Sequence, residues 1–377
     1  MSDLYKNLRS IDPRMAVKSA DVKGLAWHLP FEAPMRLVGL PWFDRDHAYN
    51  RLPLNRPPQV TQFPGGVRTA VNGENCGAYL LSAHTAGAQV RFRTDSTRFS
   101  IAAELAAAEK CDHMPATGSA GIDLYAMFEG RWICLGVTRL DLDKTTYTTD
   151  LVTGLSREMR DVIVHLPSYA GLVSLQIGLD DGATVEAATP FASPKPIVWY
   201  GTSITQGGCA SRPGLIATNA LSRLVNREVV NQGYSGSGKG EPEIIDMLSA
   251  IRDPALYILD YAWNVSAPEL SATLPYAVDR LRATHPDAPI LLMSPTPGKA
   301  YLAHLPGDSV EKADIMAAEA ARRNAEGDAG VHYFDALREG CGDDFWEGYV
   351  DGCHLNDLGF YRLAHAICPV VEKLLKA

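Results

Sequence analysis

Two patterns of apolar and polar residues divide the chain. Between about residues 80 and 180, short apolar runs alternate with polar positions in a period of two, as at 88–93, where Ala, Val and Phe alternate with Gln and Arg. Similar short runs follow at 162–164 and 172–179. A period of two is typical of strands with one buried face, so this half is predicted to be all-β.

The pattern changes after residues 180–196, a stretch rich in Ala, Pro, Thr and Ser. Short apolar runs then alternate with longer stretches of helical spacing, around 270–281 and 358–367, in which Pro275 and Pro369 are candidate kinks. The predicted strands are 197–200, 228–231, 256–261, 290–294 and 331–334. This alternation predicts a three-layer α/β/α domain around a five-stranded parallel sheet, with domains at 1–190 and 191–377.

The composition mainly excludes certain classes of protein and of partner. Of 377 residues, 46% are hydrophobic and 21% charged, a balance that excludes disordered, collagen-like and coiled-coil classes. The chain has no run of about eighteen apolar residues and begins without the basic and apolar segments of a secretory signal, so we expect a cytoplasmic protein with no membrane partner. A net charge of −9 without a Lys/Arg cluster argues against nucleic acid as a partner.

The cysteines and the remaining composition indicate no bound metal or organic cofactor. Seven cysteines are widely spaced and contain no Cys-x-x-Cys pair, so neither a zinc knuckle nor a disulfide framework is predicted. The expected partner is a small-molecule or oligosaccharide substrate. The composition is compatible with a homo-oligomer as well as with a monomer.

A serine follows the first predicted strand of the second half. In open parallel sheets ligands bind beyond the carboxyl ends of the strands, so the loops there are the places to search for chemistry. The segment 201–207 reads GTSITQG, which places Ser203 at a strand-to-helix turn among small neighbours. A serine at such a turn is often only a helix cap, so a nucleophilic role requires a partner base.

Asp351 and His354 supply a candidate base just before the last predicted helix. Their spacing of three residues in a turn lets the carboxylate and the imidazole point into one cleft. There the imidazole would accept the proton of a serine hydroxyl, while the aspartate would orient the ring and stabilise its cationic form. The alternative is a surface turn with a solvated histidine.

Two further loops at the same predicted sheet edge offer hydrogen-bond donors. The glycine-rich segment 231–238, NQGYSGSG, can turn backbone N–H groups toward a developing oxyanion, and the side-chain amide of Asn264 follows the third strand. Either segment alone can be explained by a tight turn. Four loops that offer a nucleophile, donors and a base in this order together favour a hydrolase.

These segments resemble the four sequence blocks of the SGNH/GDSL hydrolases over residues 195–377. The resemblance implies a flavodoxin-like SGNH hydrolase domain in which Ser203 is the nucleophile, His354 the base and Asp351 its orienting partner. It also implies an oxyanion hole formed by the N–H of Ser203 with Gly236 and Asn264.

The chain departs from the family pattern at two places. Thr202 stands where the family often has Asp, and the segment 262–265, AWNV, replaces the usual Gly-x-Asn-Asp. Neither change removes a group with a catalytic role. Trp263 nevertheless changes the wall of the cleft, and with Tyr234 it is a candidate stacking surface for a sugar ring.

The first half carries a shorter resemblance. The segment 121–125, GIDLY, resembles the Gly-x-Asp-Leu-Tyr motif of a jelly-roll-like β-sandwich that precedes certain SGNH hydrolases. A turn glycine leading into a strand explains this segment as well as a direct role for Asp123 does. Proteins with both domains resemble carbohydrate esterases that remove acetyl or other small acyl groups.

The sequence therefore predicts a serine esterase acting on small acyl esters, most of all acetyl esters of carbohydrates, through an acyl-enzyme on Ser203. Lactone or other small-molecule ester hydrolysis uses the same chemistry and stays open. A non-catalytic carbohydrate-binding protein is an alternative of another class. So is a P-loop-like nucleotide binder, because residues 233–239 fit Gly-x-x-x-x-Gly-Lys, although Gly240 stands where a Ser or Thr should bind magnesium.

Overall fold

A computed structural model describes residues 19–54, 77–107, 111–141, 143–339 and 345–376 of the protein. The first eighteen residues, on which the expectation of no secretory signal rests, lie outside the described ranges. Two of the seven cysteines, Cys76 and Cys341, also lie outside them. Within the described ranges, the helices are too short or too polar to cross a lipid bilayer.

Two antiparallel sheets form the first half of the chain. Their strands are β1 Leu25–His28, β2 Arg36–Val38, β3 Gln89–Thr94, β4 Phe99–Leu105, β5 Asp123–Phe128, β6 Arg131–Val137, β7 Thr146–Val152, β8 Arg160–His165, β9 Leu172–Asp180 and β10 Val185–Glu186. One sheet has the order β1-β9-β4-β7, and the other has the order β10-β3-β8-β5-β6 with β2 paired to β3. Short helices α1 Phe43–Asp46, α2 Gly77–Leu81 and α3 Ala116–Ser119 lie in the connections.

The alternating residues of β3 show why this half forms a sandwich and what covers it. Val90 and Phe92 are fully buried in the core between the sheets, as their period of two predicts. The intervening polar residues are buried as well: Gln89 is 2% exposed and Arg91 is 5% exposed. The Gln89 amide donates to Asn219 Oδ1 of the second half at 3.0 Å, so the polar face of β3 is an interface.

A five-stranded parallel sheet forms the second half. Its strands are β11 Ile197–Gly201, β12 Val229–Gly233, β13 Leu256–Asp260, β14 Ile290–Met293 and β15 Val331–Phe334, in the order β12-β11-β13-β14-β15. This is the flavodoxin-like order, in which the crevice for a ligand opens between the first and third strands. The nucleophile candidate follows one of these strands and Asn264 follows the other.

Helices cover both faces of this sheet. They are α4 Ser203–Gln206, α5 Ala217–Val225, α6 Pro242–Leu248, α7 Ala267–Thr284, α8 Lys299–Leu302, α9 Ser309–Ala325 and α10 Asp357–Leu374. The strands are near-continuous apolar runs because both faces are packed: Val198 and Tyr200 lie in one core, Ile197 and Trp199 in the other. The α7 and α10 helices continue through Pro275 and Pro369, the two candidate kinks.

The structure confirms the predicted fold class. Each predicted strand of the parallel sheet is present, and its ends differ from the prediction by two residues or fewer. The strands of the two antiparallel sheets lie between residues 25 and 186, and those of the parallel sheet lie between 197 and 334.

Candidate active site

The turn after β11 presents Ser203 at the first position of α4. The cap is its neighbour: the Thr202 side chain accepts the N–H of Ile204 at 3.3 Å, and Thr205 Oγ1 accepts the N–H of Thr202 at 3.2 Å. This reciprocal capping box satisfies the helix start without the hydroxyl of Ser203. The helix cap is therefore Thr202, and the hydroxyl of Ser203 remains available as a nucleophile.

The turn before α10 holds Asp351 and His354 in one cluster. Asp351 Oδ2 accepts the Nδ1–H of His354 at 2.7 Å, and its Oδ1 accepts the backbone N–H groups of Cys353 and His354 at 2.9 and 2.7 Å. Burial raises the pKa of Asp351, but these hydrogen bonds outweigh it, so the pKa lies well below its ordinary value. The carboxylate therefore stays charged and fixes the tautomer of the ring.

The two turns meet at the carboxyl edge of the parallel sheet. The Nε2 atom of His354 lies 3.0 Å from Ser203 Oγ, within hydrogen-bond distance. Ser203, His354 and Asp351 thus form a continuous chain of hydrogen bonds across 151 residues of sequence. In this arrangement the imidazole can take the proton of the serine hydroxyl, which is the geometry of a nucleophile with its base.

The glycine-rich loop after β12 faces the same cleft. Gly236 has a φ of +64°, a left-handed conformation that favours glycine, and a Cβ there would meet open space. Gly238 packs against the Gly201 carbonyl so closely that a Cβ would lie 2.0 Å from that oxygen. Within the described residues, the N–H groups of Ser203 and Gly236 make no hydrogen bond, so both are available to an oxyanion.

Asn264 lies beside this loop, but its amide is already engaged. Its Nδ2 donates to the carbonyl oxygens of Tyr234 at 3.2 Å and Gly238 at 3.1 Å. Asn264 therefore ties the two ends of the loop that presents Gly236. A direct hydrogen bond to an oxyanion would require the amide to release one of these carbonyls.

The structure separates the two aromatic candidates. The prediction that Tyr234 stacks on a sugar is wrong, because its ring is fully buried in the core and its hydroxyl donates to Gln232 Oε1. Trp263 is half-buried, and its Nε1 donates to Thr296 Oγ1 at 3.2 Å. The ring lies against Gly298, where a Cβ would come within 2.5 Å of it, beside the turn that carries Asp351 and His354.

In the segment 233–239, which fits the pattern of a phosphate-binding loop, a carboxylate already accepts a backbone hydrogen bond. Glu241 accepts the backbone N–H of Lys239 at 2.8 Å and the hydroxyl of Tyr200 at 2.7 Å. The donor that a phosphate would use at this helix start is thus already paired with an acidic side chain.

A buried arginine from the first half supports the glycine-rich loop. Arg51 is 0% exposed and lies with its guanidinium 4.6 Å from the centre of the Tyr234 ring. It makes five hydrogen bonds, all to uncharged oxygens: the carbonyls of Leu81, His84, Asn231 and Gly233, and Asn231 Oδ1. No pattern in the sequence distinguishes this arginine from others in turn-rich segments.

Asp123 of the GIDLY segment also contacts the second half. It is fully buried, with His165 Nδ1 2.7 Å from one carboxylate oxygen and the Gly214 N–H and the Arg212 guanidinium at 2.7 and 3.2 Å from the other. Burial lowers the pKa of His165, so its ring is neutral near pH 7. The Nε2 atom of this ring accepts a hydrogen bond from Arg223 Nη1 at 3.2 Å. Asp123 of this motif therefore acts as a polar latch, a set of buried hydrogen bonds that holds residues 212–214.

Two further residues at the site carry no signal in the sequence. His113 lies with its ring centre 5.4 Å from that of His354. Trp346 is 57% exposed and lines a shallow cavity of about 420 Å³ beside the turn that carries Asp351 and His354, together with Lys299, Tyr349 and Gly352. His113 comes from the first half of the chain, far in sequence from His354, whereas Trp346 shortly precedes Asp351 along the chain.

A buried carboxyl group lies beneath the nucleophile turn, at the end of β13. Asp260 Oδ2 accepts from Thr205 Oγ1 at 2.8 Å and from Trp199 Nε1 at 3.4 Å. Burial raises the pKa of Asp260 to about 7. Because the folded protein holds this proton more tightly than the unfolded chain, the contribution of Asp260 to stability is greatest below about pH 4 and declines as pH rises toward 7.

We expect Asp260→Asn to remove this pH dependence. The free energy of unfolding of the variant should gain on the wild type between pH 4 and 7, by a difference on the order of 4 kcal/mol at most. Urea unfolding across this range measures the gain, with Asp287→Asn, at an exposed aspartate, as the control. Parallel pH profiles for wild type and Asp260→Asn would contradict the assignment.

Comparison with known proteins identifies the families that the two halves of the chain match. The family model described as the GDSL-like lipase/acylhydrolase family matches residues 194–372. Residues 194–372 are a GDSL-like lipase/acylhydrolase domain. The model described as the N-terminus of SGNH-hydrolase-type esterases, GxDLY, matches residues 25–185, so both resemblances seen in the sequence are confirmed.

Solved structures resemble this two-part acylhydrolase over nearly its whole length. A Bacteroides ovatus protein described as a GDSL-like lipase is 27% identical, with a TM-score of 0.80 and 93% of this chain and 98% of that chain covered. The salicylyl-acyltransferase SsfX3 of a tetracycline biosynthetic pathway has 22% identity, a TM-score of 0.73 and the same coverage. An acetyl xylan esterase from Butyrivibrio proteoclasticus, at 11% identity and a TM-score of 0.55, covers 93% and 99%. No curated protein sequence matches the chain.

Proposed function

We propose that this acylhydrolase is a serine esterase that removes small acyl groups, above all acetyl, from carbohydrate esters. The observation that carries the proposal is the chain of hydrogen bonds from Ser203 Oγ through His354 to Asp351, at 3.0 and 2.7 Å. Within the described residues, the backbone N–H groups of Ser203 and of Gly236 in the glycine-rich loop are unpaired. A nucleophile, its base and oxyanion donors at one sheet edge are the parts that acyl transfer requires.

The reaction begins with attack of Ser203 Oγ on the ester carbonyl. The hydroxyl proton passes to Nε2 of His354, and Asp351 stabilises the imidazolium that forms. Collapse of the tetrahedral intermediate breaks the bond to the alcohol, which takes the proton from His354 and leaves an acyl group on Ser203. Water then attacks the acyl-enzyme with His354 as base, which releases the acid and restores the serine.

The N–H groups of Ser203 and Gly236 stabilise the negative charge on the carbonyl oxygen. Backbone donors are effective here because the loop holds them in place before the reaction and no reorganisation is needed. Asn264 contributes by fixing the two ends of that loop through the Tyr234 and Gly238 carbonyls.

The substrate class rests on the aromatic residues beside the catalytic turn and on related folds. Trp263 lies against Gly298, Trp346 lines the cavity formed with Lys299 and Gly352, and both rings can offer flat apolar surface to a sugar ring. Structures of the same fold include an acetyl xylan esterase and family two carbohydrate esterases. A lactone presents the same carbonyl to Ser203, so lactone hydrolysis is the nearest alternative.

A substrate panel tests this proposal. The purified protein is assayed with p-nitrophenyl acetate, longer acyl esters, an acetylated xylooligosaccharide and simple lactones, as wild type and as Trp263→Ala. We expect turnover of acetyl esters. We also expect a two- to tenfold higher KM of Trp263→Ala for the sugar ester alone, as a stacking contact worth roughly 0.5–1.5 kcal/mol predicts.

Trp132→Ala is the matched control, because Trp132 is a half-buried tryptophan of the second antiparallel sheet. Equal effects of Trp263→Ala on the sugar ester and on p-nitrophenyl acetate would count against the sugar subsite. Turnover of lactones alone would replace the esterase proposal with the lactonase alternative.

A further inference from the structure

Three side chains with metal-ligating atoms converge beside Ser203. His113 belongs to the described turn between β4 and α3, Cys209 lies in the loop after α4, and His354 lies before α10. The ligand atoms that these residues offer lie within 4.8 Å of one another. Cys209 is buried, with 4% exposure, whereas His113 is exposed and belongs to the first half of the chain.

Each of the two histidines has a carboxylate oxygen within hydrogen-bond distance of its Nδ1 atom. His354 Nδ1 lies 2.7 Å from Asp351 Oδ2, and His113 Nδ1 lies 3.1 Å from Asp112 Oδ1. These contacts leave Nε2 of each ring as the nitrogen for a shared ligand. A carboxylate behind a ligating imidazole is the usual arrangement at zinc sites, where it orients the ring and increases its basicity.

The ligand set selects the kind of cation. Two imidazoles and a thiol favour zinc, whereas magnesium and calcium prefer oxygen ligands. Zinc bonds of about 2.0–2.3 Å place ligand atoms about 3.4–3.6 Å apart in a tetrahedron, so the side chains must draw together by roughly an ångström. The partly exposed turn of His113 can supply that movement, and Ser203 Oγ or a water molecule can complete the fourth position.

We propose that His113, Cys209 and His354 form a zinc site that switches the esterase off reversibly. Zinc on Nε2 of His354 occupies the lone pair that must accept the Ser203 proton, so a chain with bound zinc has no catalytic base. Binding releases the Cys209 thiol proton to solvent. This inhibition rests on the proposed function, but the site itself does not.

Zinc binding is measured first without reference to activity. Zinc chloride is titrated against a chromophoric chelator in the presence of wild type, Ser203→Ala, His113→Ala and Cys209→Ser, all kept reduced with a phosphine. We expect one zinc per chain for wild type and Ser203→Ala, and a rise in Tm because the ion joins the two halves of the chain. His113→Ala and Cys209→Ser should lose at least about tenfold in affinity.

Two matched variants control for surface binding. His365→Ala and Cys368→Ser remove the same residue types from α10, away from the cluster, and should keep wild-type affinity. If the wild type fails to bind zinc, or if His113→Ala binds it as tightly as the wild type, the site is wrong. Because His113 lies on a partly exposed turn, this variant should fold even if Cys209→Ser does not.

Ester turnover then separates the inference from the proposed function. Each variant is assayed with and without zinc and after addition of EDTA, so that each serves as its own reference. We expect wild type to lose activity with zinc and regain it with EDTA, with a weaker response in His113→Ala. Hydrolysis that zinc leaves unchanged or increases overturns the switch, whereas His113-dependent binding to a protein without esterase activity overturns only the proposed function.

Discussion

Replacing Ser203 with alanine is expected to lower kcat for an acyl ester on the order of 10⁴-fold or more while the fold is retained. The loss follows because no other group would form the acyl-enzyme. Only the oxyanion donors and substrate binding would remain. The fold should be retained because Thr202 and Thr205, rather than Ser203, satisfy the start of α4.

Intact mass after treatment with a serine-directed organophosphonate accompanies the kinetic measurement. Wild type should gain a single adduct, and Ser203→Ala should gain none. Ser271→Ala, at an exposed serine of α7, is the control and should match wild type in both assays. Near-wild-type turnover by a correctly folded Ser203→Ala protein would rule out the acyl-enzyme mechanism.

Asp123→Asn is expected to destabilise the protein by about 3–5 kcal/mol, the usual cost of removing one partner from a buried charged network. Asp123 is fully buried and compensates the charge of Arg212 at 3.2 Å. The effect should also reach the active site. The latched segment continues to Ser211, whose N–H donates to Asp357 at the first turn of α10 at 2.7 Å, close behind His354.

Urea unfolding followed by circular dichroism measures this change, together with esterase activity at low urea. Asp181→Asn, at an exposed aspartate in a turn of the same half, is the control and should change the free energy of unfolding by less than about 0.5 kcal/mol. An Asp123→Asn protein as stable as the control would show that the latch contributes nothing to the folded state.

The sequence predicted the parallel sheet well because its strands are buried on both faces. Runs such as 197–200 are apolar throughout, and breaks rich in glycine and proline bound them on either side. The turns at Ser203 and Asp351–His354 were predictable for a related reason. Parallel strands all end at one edge, so the loops that follow them must meet there.

Other features depend on contacts between distant segments and could not be predicted. The side chain of Tyr234 follows a strand, as a cleft residue would, yet it turns inward because Arg51 and Gln232 complete its surroundings. Likewise, the period of two in β3 indicated a strand with one buried face and one solvent-exposed face. Its polar face is nevertheless buried, and the partner of Gln89 there is Asn219, 130 residues later in the chain.

The burial of Arg51 bears on how such a chain can be recombined. Its guanidinium reaches from the first half to the carbonyls of Asn231 and Gly233, which border the loop that presents Gly236. An unrelated sandwich grafted in place of the first half would leave these buried carbonyls without donors beneath the oxyanion loop. A fusion protein that contains this hydrolase domain should therefore also contain its own first half. Otherwise the new partner must supply a donor in the place of Arg51.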